Sequence, residues 1–233
     1  MADSRLAILR DRLKAVEDRI QWACSRARRK REEVTLVAVT KSASPEVAGL
    51  LLELGHLNLG ESRPQELWRK ATALPATIHW HLIGHLQRNK IERTLPLVGL
   101  IHSVDSDRLL TALEVEAAKR QTSIEVLLEV NASGETSKHG FAAGDVQTLG
   151  STINGLKFVQ VRGLMTMAAY QEDPKRTRPT FAALRALRDQ LRQQWGAGIR
   201  LDHLSMGMTN DFEVAIEEGA TMVRVGTAIF DAI

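Results

Sequence analysis

The sequence predicts an α/β fold, a (β/α)8 TIM barrel with an extra N-terminal helix. Short apolar runs rich in β-branched residues alternate with helical patterns along the chain, and eight such runs follow one another. The length of 233 residues is close to the typical size of such a barrel, about 250 residues. A doubly wound open sheet is the structural alternative, because periodicity does not reveal whether a sheet closes.

The first predicted element is an amphipathic helix from Asp3 to about Arg29. Its apolar residues recur at steps of three and four, at Leu6, Leu9, Leu13, Val16, Ile20, Cys24 and Ala27. We expect residues 1–30 to pack on the barrel. The basic run at 26–31 is interpreted as the solvated end of this helix, where cations complement the helix dipole; contact with nucleic acid or an acidic partner is the alternative.

The remaining elements alternate. The predicted strands are 34–41, 57–60, 77–83, 99–104, 124–130, 158–165, 199–204 and 221–225. The predicted helices are 46–54, 66–71, 87–95, 105 or 106 to 120, 144–154, 174–195 and 210–218. The first strand, VTLVAVTK, is almost continuously apolar, which is typical of a parallel strand buried on both faces. Ser44 and Pro45 then suit the N-cap and first position of a helix.

Composition predicts one domain over residues 1–233, since 44% of the residues are hydrophobic and no Pro/Gly/Ser-rich linker divides them. Cys24 is the only cysteine, which excludes disulfide frameworks and cysteine-based zinc sites. The charged N-terminus and the lack of any apolar run near about 18 residues predict a cytoplasmic protein with no membrane partner. A net charge of +3 and 4% aromatic residues do not favour a nucleic-acid partner.

Lys41 closes the first predicted strand. The carboxyl ends of barrel strands are where ligands lie. A lysine at the edge of a dry core has its pKa lowered by desolvation, which frees the amine for Schiff-base chemistry. The alternative is that Lys41 only extends from the strand end into water.

Two glycine-containing loops follow strands seven and eight, at 204–211 and 224–230. Barrels often bind phosphate at these loops, because glycine lets backbone N–H groups approach the oxygens and a helix start is positive. Ser205, Gly207, Gly226 and Thr227 are small residues in suitable places. The alternative is that the glycines only make tight turns.

Arg224 lies within the last strand, between two valines. A buried arginine needs a partner, because an uncompensated charge in a core is costly. One interpretation is a guanidinium that faces a ligand. The other is an ion pair inside the barrel with Glu61 or Glu129.

His79 and His81 share one face of the third strand, a spacing that can serve a metal. His85 and His102 follow, but no third ligand is evident nearby, so packing histidines and no metal site are predicted. Lys138 follows strand five as an exposed loop residue or as a second amine at the pocket mouth.

Six motifs resemble the pyridoxal phosphate homeostasis proteins, whose fold is similar to the barrel domain of alanine racemase. They span nearly the whole chain in order: AVTK (38–41), GESRPQE (60–66), HWHLIGHLQRNK (79–90), GETSKHG (134–140), RGLMTM (162–167) and LSMGMTNDFEVAIEEGATMVRVGTAIF (204–230). The resemblance implies pyridoxal 5′-phosphate (PLP) as the cofactor.

The resemblance also implies residue roles. Lys41 would form the Schiff base, Arg224 would face the pyridine nitrogen, and Lys138 matches the second lysine that the family uses in cofactor handling. The phosphate would be held by Ser205, Gly226 and Thr227. The family usually has GENYVQE and WHFIGPLQSNK, so this chain departs from it at Ser62, Arg63, His85 and Arg88.

The resemblance implies PLP buffering or delivery, with an indirect effect on amino-acid and keto-acid pools, and no catalytic residue. Alanine racemase carries a second domain and a tyrosine acid/base, whereas Tyr170 is the only tyrosine here. Racemisation needs proton transfer on both faces of the α-carbon and therefore two positioned acid/base groups. Arginine at the ring nitrogen would also make the ring a weak electron sink. We expect a monomer with transient contacts to PLP-dependent apoenzymes or a regulatory protein. The alternatives are a PLP-dependent racemase or lyase that uses His81, and a Schiff-base aldolase.

Overall fold

The computed structural model of the chain describes residues 2–133, 139–196 and 198–233. Eight parallel strands close into a barrel in chain order. They are β1 Thr35–Val39, β2 Asn58–Glu61, β3 His79–Leu82, β4 Leu100–Val104, β5 Ile124–Glu129, β6 Val159–Met165, β7 His203–Ser205 and β8 Met222–Val225. The barrel closes where β1 pairs with β8, with Thr35 opposite Met222 and Ala38 opposite Val225. The predicted barrel is therefore confirmed, and the open-sheet alternative is excluded.

Helices surround this barrel. They are α1 Ala2–Arg26, α2 Pro45–Glu53, α3 Pro64–Ala73, α4 Ile91–Thr94, α5 Asp107–Arg120, α6 Ala143–Thr148, α7 Gly150–Asn154, α8 Arg178–Trp195, α9 Phe212–Glu217 and α10 Thr227–Phe230. Short 3₁₀ turns occupy Arg31–Glu33, Arg88–Lys90, Leu95–Leu97 and Pro174–Thr177. The prediction included no helix after β8, where α10 begins directly at the strand end.

Two predicted helices are interrupted. The helix predicted at 87–95 consists of α4 between two 3₁₀ turns, and Pro96 prevents its continuation because proline lacks the N–H and its ring clashes with the preceding turn. The helix predicted at 144–154 divides into α6 and α7. Gly150 begins α7 under the indole of Trp195, and a Cβ at this position would lie 2.6 Å from the ring, so the close packing of α8 requires glycine here.

The strand predicted at 199–204 is shorter and later than expected. Pairing with β6 starts at His203, opposite Gly163. Ile199 and Leu201 are buried in the core between the barrel and the helices, but they are not part of β7. Their apolar character therefore reflects burial next to the sheet, which a periodicity argument does not distinguish from membership of the sheet.

Helix α1 packs against the helices that flank β8. The guanidinium of Arg19 lies over the ring of Phe212, 4.5 Å from its centroid, and also forms an ion pair with Glu213 at 3.2 Å. The helix ends at Arg26, earlier than predicted, and Arg28 adopts a positive φ of 55°. A left-handed residue cannot continue a right-handed helix, so the chain turns here toward β1.

The basic run at 26–31 is more than a solvated helix end. Arg26 forms an ion pair with Glu217 at 2.7 Å. Arg29, whose side chain is 16% exposed, donates from Nη1 to the carbonyl oxygens of Ile216 at 2.9 Å and Ala220 at 2.7 Å. The Ile216 carbonyl lies in the last turn of α9, and the Ala220 carbonyl lies between α9 and β8. The cluster therefore fastens α1 to the last βα unit.

The barrel interior is layered. A small apolar cluster, separate from the core between barrel and helices, consists of Leu100, Leu127, Met165 and Met222. Side chains in a strand alternate between faces, so residues two positions further along the same strands point into the same interior. In β4 and β8 these are the buried polar residues His102 and Arg224. Among the described residues, no helix is long and apolar enough to cross a membrane.

Candidate functional site

The closure of the barrel brings the end of β1 next to the end of β8. Gly226 lies so near β1 that a Cβ on it would be 3.1 Å from the carbonyl oxygen of Val39. Strand β1 ends at Val39, and Lys41 follows in a turn where its side chain is exposed. The exposed side chain agrees with the alternative stated for Lys41, a lysine that extends from the strand end into water, rather than with a lysine at the edge of a dry core.

The loops after β7 and β8 contact each other, as the sequence predicted. The hydroxyl of Thr209 accepts hydrogen bonds from the backbone N–H of Gly226 at 3.4 Å and of Ala228 at 3.5 Å. Both are long and therefore weak, so these donors are available to a stronger acceptor. Thr227, between them, is exposed. Sequence reasoning missed Thr209, whose only signal was its place in the same loop as Ser205.

Gly207 determines the path of the loop after β7. Its φ is +93°, and a Cβ here would lie 2.7 Å from the Cα of Phe212. Its carbonyl oxygen accepts the backbone N–H of Arg224 at 3.0 Å. Gly207 therefore has a structural role in joining the two loops, which supports the tight-turn interpretation at this position.

Arg224 is buried in the barrel, with 3% of its surface exposed. Its Nη1 donates to the Ser205 hydroxyl and its Nη2 to the carbonyl oxygen of Thr166 at 2.9 Å. Burial lowers the pKa of the guanidinium to about 10, against the opposing field of Glu129 and Asp211, so it remains charged near neutral pH. Within the described part of the chain it forms no ion pair with Glu129, whose pKa is raised chiefly by burial.

Glu61, the other proposed partner of Arg224, pairs with a different cation. Lys70 donates to Glu61 Oε2 at 2.6 Å and to the carbonyl oxygen of Thr40 at 2.5 Å, and the side chains of Lys70 and Glu61 are 1% and 0% exposed. The Thr40 hydroxyl donates to the same carboxylate at 3.2 Å. This buried pair therefore holds the backbone immediately before Lys41. The sequence offered no signal for it, because Lys70 reads as a surface lysine of α3.

Ser205 points into the barrel interior. It is fully buried, and its hydroxyl is bonded to His102 Nδ1 at 2.8 Å and to the guanidinium of Arg224. The resemblance had placed it at the phosphate, and this role stays a prediction. In this structure the hydroxyl is hydrogen-bonded to His102 and Arg224, both of which lie in the barrel interior.

His81 and His102 extend this network across the barrel. His102 Nε2 lies 3.0 Å from His81 Nδ1, and His81 Nε2 lies 3.2 Å from Asn58 Oδ1. Burial, followed by the fields of neighbouring histidines, lowers the pKa of His81 to about 4, and burial lowers that of His102 well below its usual value. His79 is exposed. Among the described residues no group of three His, Cys, Asp or Glu side chains could hold a metal ion.

We expect the protein to lose stability as the pH falls from 6.5 to about 4. An unfolded histidine takes up a proton near pH 6.5, whereas folded His81, surrounded by His56, His79, His102 and His203, stays neutral down to about 4. The unfolded state thus binds more protons over this interval, and the free energy of unfolding decreases as the pH decreases. For His81 alone the difference is roughly 3 kcal/mol.

Urea unfolding over this pH range would measure the effect in wild type, His81→Gln and His79→Gln. Glutamine does not titrate, so the His81 variant should have a flatter pH dependence. The exposed His79 is the comparison: its replacement removes only one of the weaker fields on His81, so this variant should stay close to the wild type. The same slope in all three proteins would contradict the prediction.

The departures from the family pattern lie at the edge of the barrel mouth. His85 Nδ1 is 2.8 Å from Asp105 Oδ2, and its ring stacks on His139 with centroids 5.9 Å apart. Arg88 and Arg108 line a cavity of about 300 Å³ beside them. Lys138, the proposed second amine, lies outside the described residues.

Comparison with known proteins gives consistent matches over the whole barrel. The family model described as alanine racemase, N-terminal domain, matches residues 12–232. A pyridoxal phosphate homeostasis protein from Aquifex aeolicus is 42% identical over 221 residues, covering 94% of this chain and 96% of that protein. An unknown protein from Bifidobacterium adolescentis has a crystal structure with a TM-score of 0.92 and 39% identity, covering 98% and 96% of the two chains. PipY of Synechococcus elongatus, solved with PLP bound, has a TM-score of 0.79 and 33% identity, covering 91% and 99%.

Proposed function

Because this chain belongs to the pyridoxal phosphate homeostasis protein family, with an alanine racemase N-terminal domain, we propose that it binds PLP and takes part in PLP homeostasis by buffering or delivering the cofactor. The observation that carries the proposal is the closure of the barrel. It places the turn that bears Lys41 beside the start of α10, where loops seven and eight meet. An amine and an anion site at neighbouring strand ends suit an aldehyde that carries a phosphate.

The residues at this mouth fit the cofactor. The exposed Lys41 amine is accessible to the aldehyde, which on binding supplies the carbonyl that condenses with amines. The backbone N–H groups of Gly226 and Ala228 have only long hydrogen bonds to Thr209, and the absence of a side chain at Gly226 lets the backbone approach the oxygens. Arg224 would face the ring nitrogen. Ser205 and Lys138 complete the proposed set, and none of the six has a catalytic role.

Uptake of PLP by the purified protein tests this proposal. We expect a visible absorbance band after incubation with PLP, and borohydride should bleach it by reducing the Schiff base. A protein that takes up no PLP would contradict the proposal. If borohydride instead trapped a phosphorylated sugar, the aldolase alternative would be supported.

Thr227→Val should weaken PLP binding about tenfold and leave the visible band intact at saturation. Valine keeps the size of threonine but removes a hydroxyl, and a hydrogen bond to a charged group contributes about 1.5–3 kcal/mol. Titration of the band with PLP measures the dissociation constant. Thr72→Val, which removes an exposed hydroxyl from α3, is the control. An unchanged affinity in Thr227→Val would refute the role of this hydroxyl at the phosphate.

We also propose that the protein has little or no catalytic turnover. The racemase alternative needs a second acid/base, and His81 was its candidate. His81 is 6% exposed and both of its ring nitrogens have partners in the barrel interior, which argues against that use. Amino-acid turnover by the PLP-loaded protein that depends on His81 would overturn this view.

Further parts of the proposal concern the protein in the cell. A cytoplasmic location, a monomeric state and transient contacts with PLP-dependent apoenzymes or a regulatory protein all remain predictions. The assignment of residues 1–233 to one domain is likewise proposed, and it is supported by the ion pairs that join α1 to the last βα unit.

A further inference from the structure

A line of hydrogen bonds crosses the barrel interior, and we name it the interior relay. It joins side chains from five strands, β2, β3, β4, β7 and β8. Its members are Asn58, His81, His102, Ser205 and Arg224. Four of them are buried and Asn58 is half-buried. The relay therefore reaches from the lower part of the barrel to the guanidinium beneath the mouth.

The donors and acceptors allow one direction along the relay. Arg224 has only N–H groups and cannot accept, so it donates to Ser205. Within the described part of the chain, His102 Nδ1 is the acceptor for the remaining hydroxyl proton. A neutral imidazole has one N–H, which places the proton of His102 on Nε2, facing His81 Nδ1. His81 then carries its own proton on Nε2 and donates to Asn58 Oδ1.

We propose that His102, acting through the Ser205 hydroxyl, is a positioning residue that sets the orientation of the Arg224 guanidinium toward bound PLP. This inference rests on the proposed function. Two fixed acceptors, the Ser205 hydroxyl and the Thr166 carbonyl oxygen, define the plane of the guanidinium. The serine hydroxyl can rotate, and the His102 acceptor is what fixes it.

The orientation has a chemical consequence for the ligand. A guanidinium N–H can only donate, so a group held rigidly against the pyridine nitrogen favours the ring form that keeps its lone pair. If the guanidinium were free to turn, water or another donor could take its place at the ring nitrogen. The affinity for PLP and the visible spectrum of the bound cofactor therefore depend on His102, in the middle of the barrel.

The tautomers of the two histidines test the relay without any cofactor. Nitrogen-15 NMR distinguishes the protonated from the unprotonated nitrogen of each imidazole. We expect both His81 and His102 to be neutral near pH 7 with the proton on Nε2. A proton on Nδ1 of either ring, or a charged ring, would overturn the inference.

The second test compares two substitutions of His102. His102→Leu leaves the proton of the buried Ser205 hydroxyl without its acceptor, which should weaken PLP binding about tenfold or more and shift the visible band. His102→Asn places Oδ1 close to the position of Nδ1, so it should restore both properties toward wild type. His79→Gln, an exposed histidine at the start of β3, is the unchanged control. Equal affinities and identical spectra in the Leu and Asn variants would overturn the proposal.

The two tests separate this inference from the proposed function. If His102→Leu does not fold, Ser205→Ala interrupts the relay from its other side and should give the same shift of the visible band. Because Ser205 is also predicted at the phosphate, the band and not the affinity is compared, and an unchanged band would count against the relay. If wild type took up no PLP, the proposed function would fail, and the histidine tautomers would still decide whether the relay has the inferred direction.

Discussion

Lys41→Ala is expected to abolish the covalent attachment of PLP completely, with loss of the borohydride-sensitive visible band. Alanine has no side-chain amine to condense with the PLP aldehyde, so the Schiff base cannot form at this position. Some phosphate-anchored binding should remain, because the groups around Gly226 and Thr227 are unchanged. Absorbance spectroscopy before and after borohydride measures the first effect, and equilibrium dialysis measures the second.

Two variants control this experiment. Lys41→Arg keeps the positive charge but not the amine, so it should also lose the band. Lys157→Ala removes another exposed lysine just before β6, at the opposite end of the barrel from the mouth, and should keep the band. A band that persists in Lys41→Ala and is still bleached by borohydride would show that another lysine, such as Lys138, is the covalent partner.

Lys70→Met is expected to lower the free energy of unfolding by about 3–5 kcal/mol, because it leaves the buried Glu61 carboxylate without its cation. The Thr40 carbonyl oxygen also loses one of its two donors, and only the backbone N–H of Ala43 remains. Urea unfolding, with the midpoint and the slope determined separately, measures the loss. The backbone before Lys41 should loosen as well, which would slow the formation of the visible band.

The double variant Lys70→Met/Glu61→Gln separates charge from packing. Removing both charges should recover most of the stability, since neutral partners of similar size avoid the uncompensated buried charge. Lys14→Met interrupts the exposed pair with Asp18 and should cost about 0–1 kcal/mol. A loss in Lys70→Met as small as that in Lys14→Met would show that the buried pair contributes little.

The candidate site could be predicted in part. Lys41, Arg224, Gly226 and Thr227 were all identified from strand ends and glycine loops, since the carboxyl ends of parallel strands share one face of a barrel. Thr209 was missed because a lone threonine in a loop has no distinguishing pattern. The exposure of Lys41 stayed open between two alternatives, because apolar neighbours in sequence do not fix how far a turn carries the next side chain.

The sequence by itself determined the fold class of this protein: the alternation of apolar strands and amphipathic helices is a local property, and it specified eight strands with helices between them. Closure of these strands into a barrel, rather than an open sheet, was decided by the pairing of β1 with β8. The partners of buried polar groups were decided only by the tertiary structure. Arg224 could have paired with Glu61 or Glu129, yet in the closed barrel it donates to Ser205 and Thr166. Glu61 forms its ion pair with Lys70 instead. The physical reason is that hydrogen bonds act over about 3 Å, and such proximity between distant segments exists only after the chain has folded.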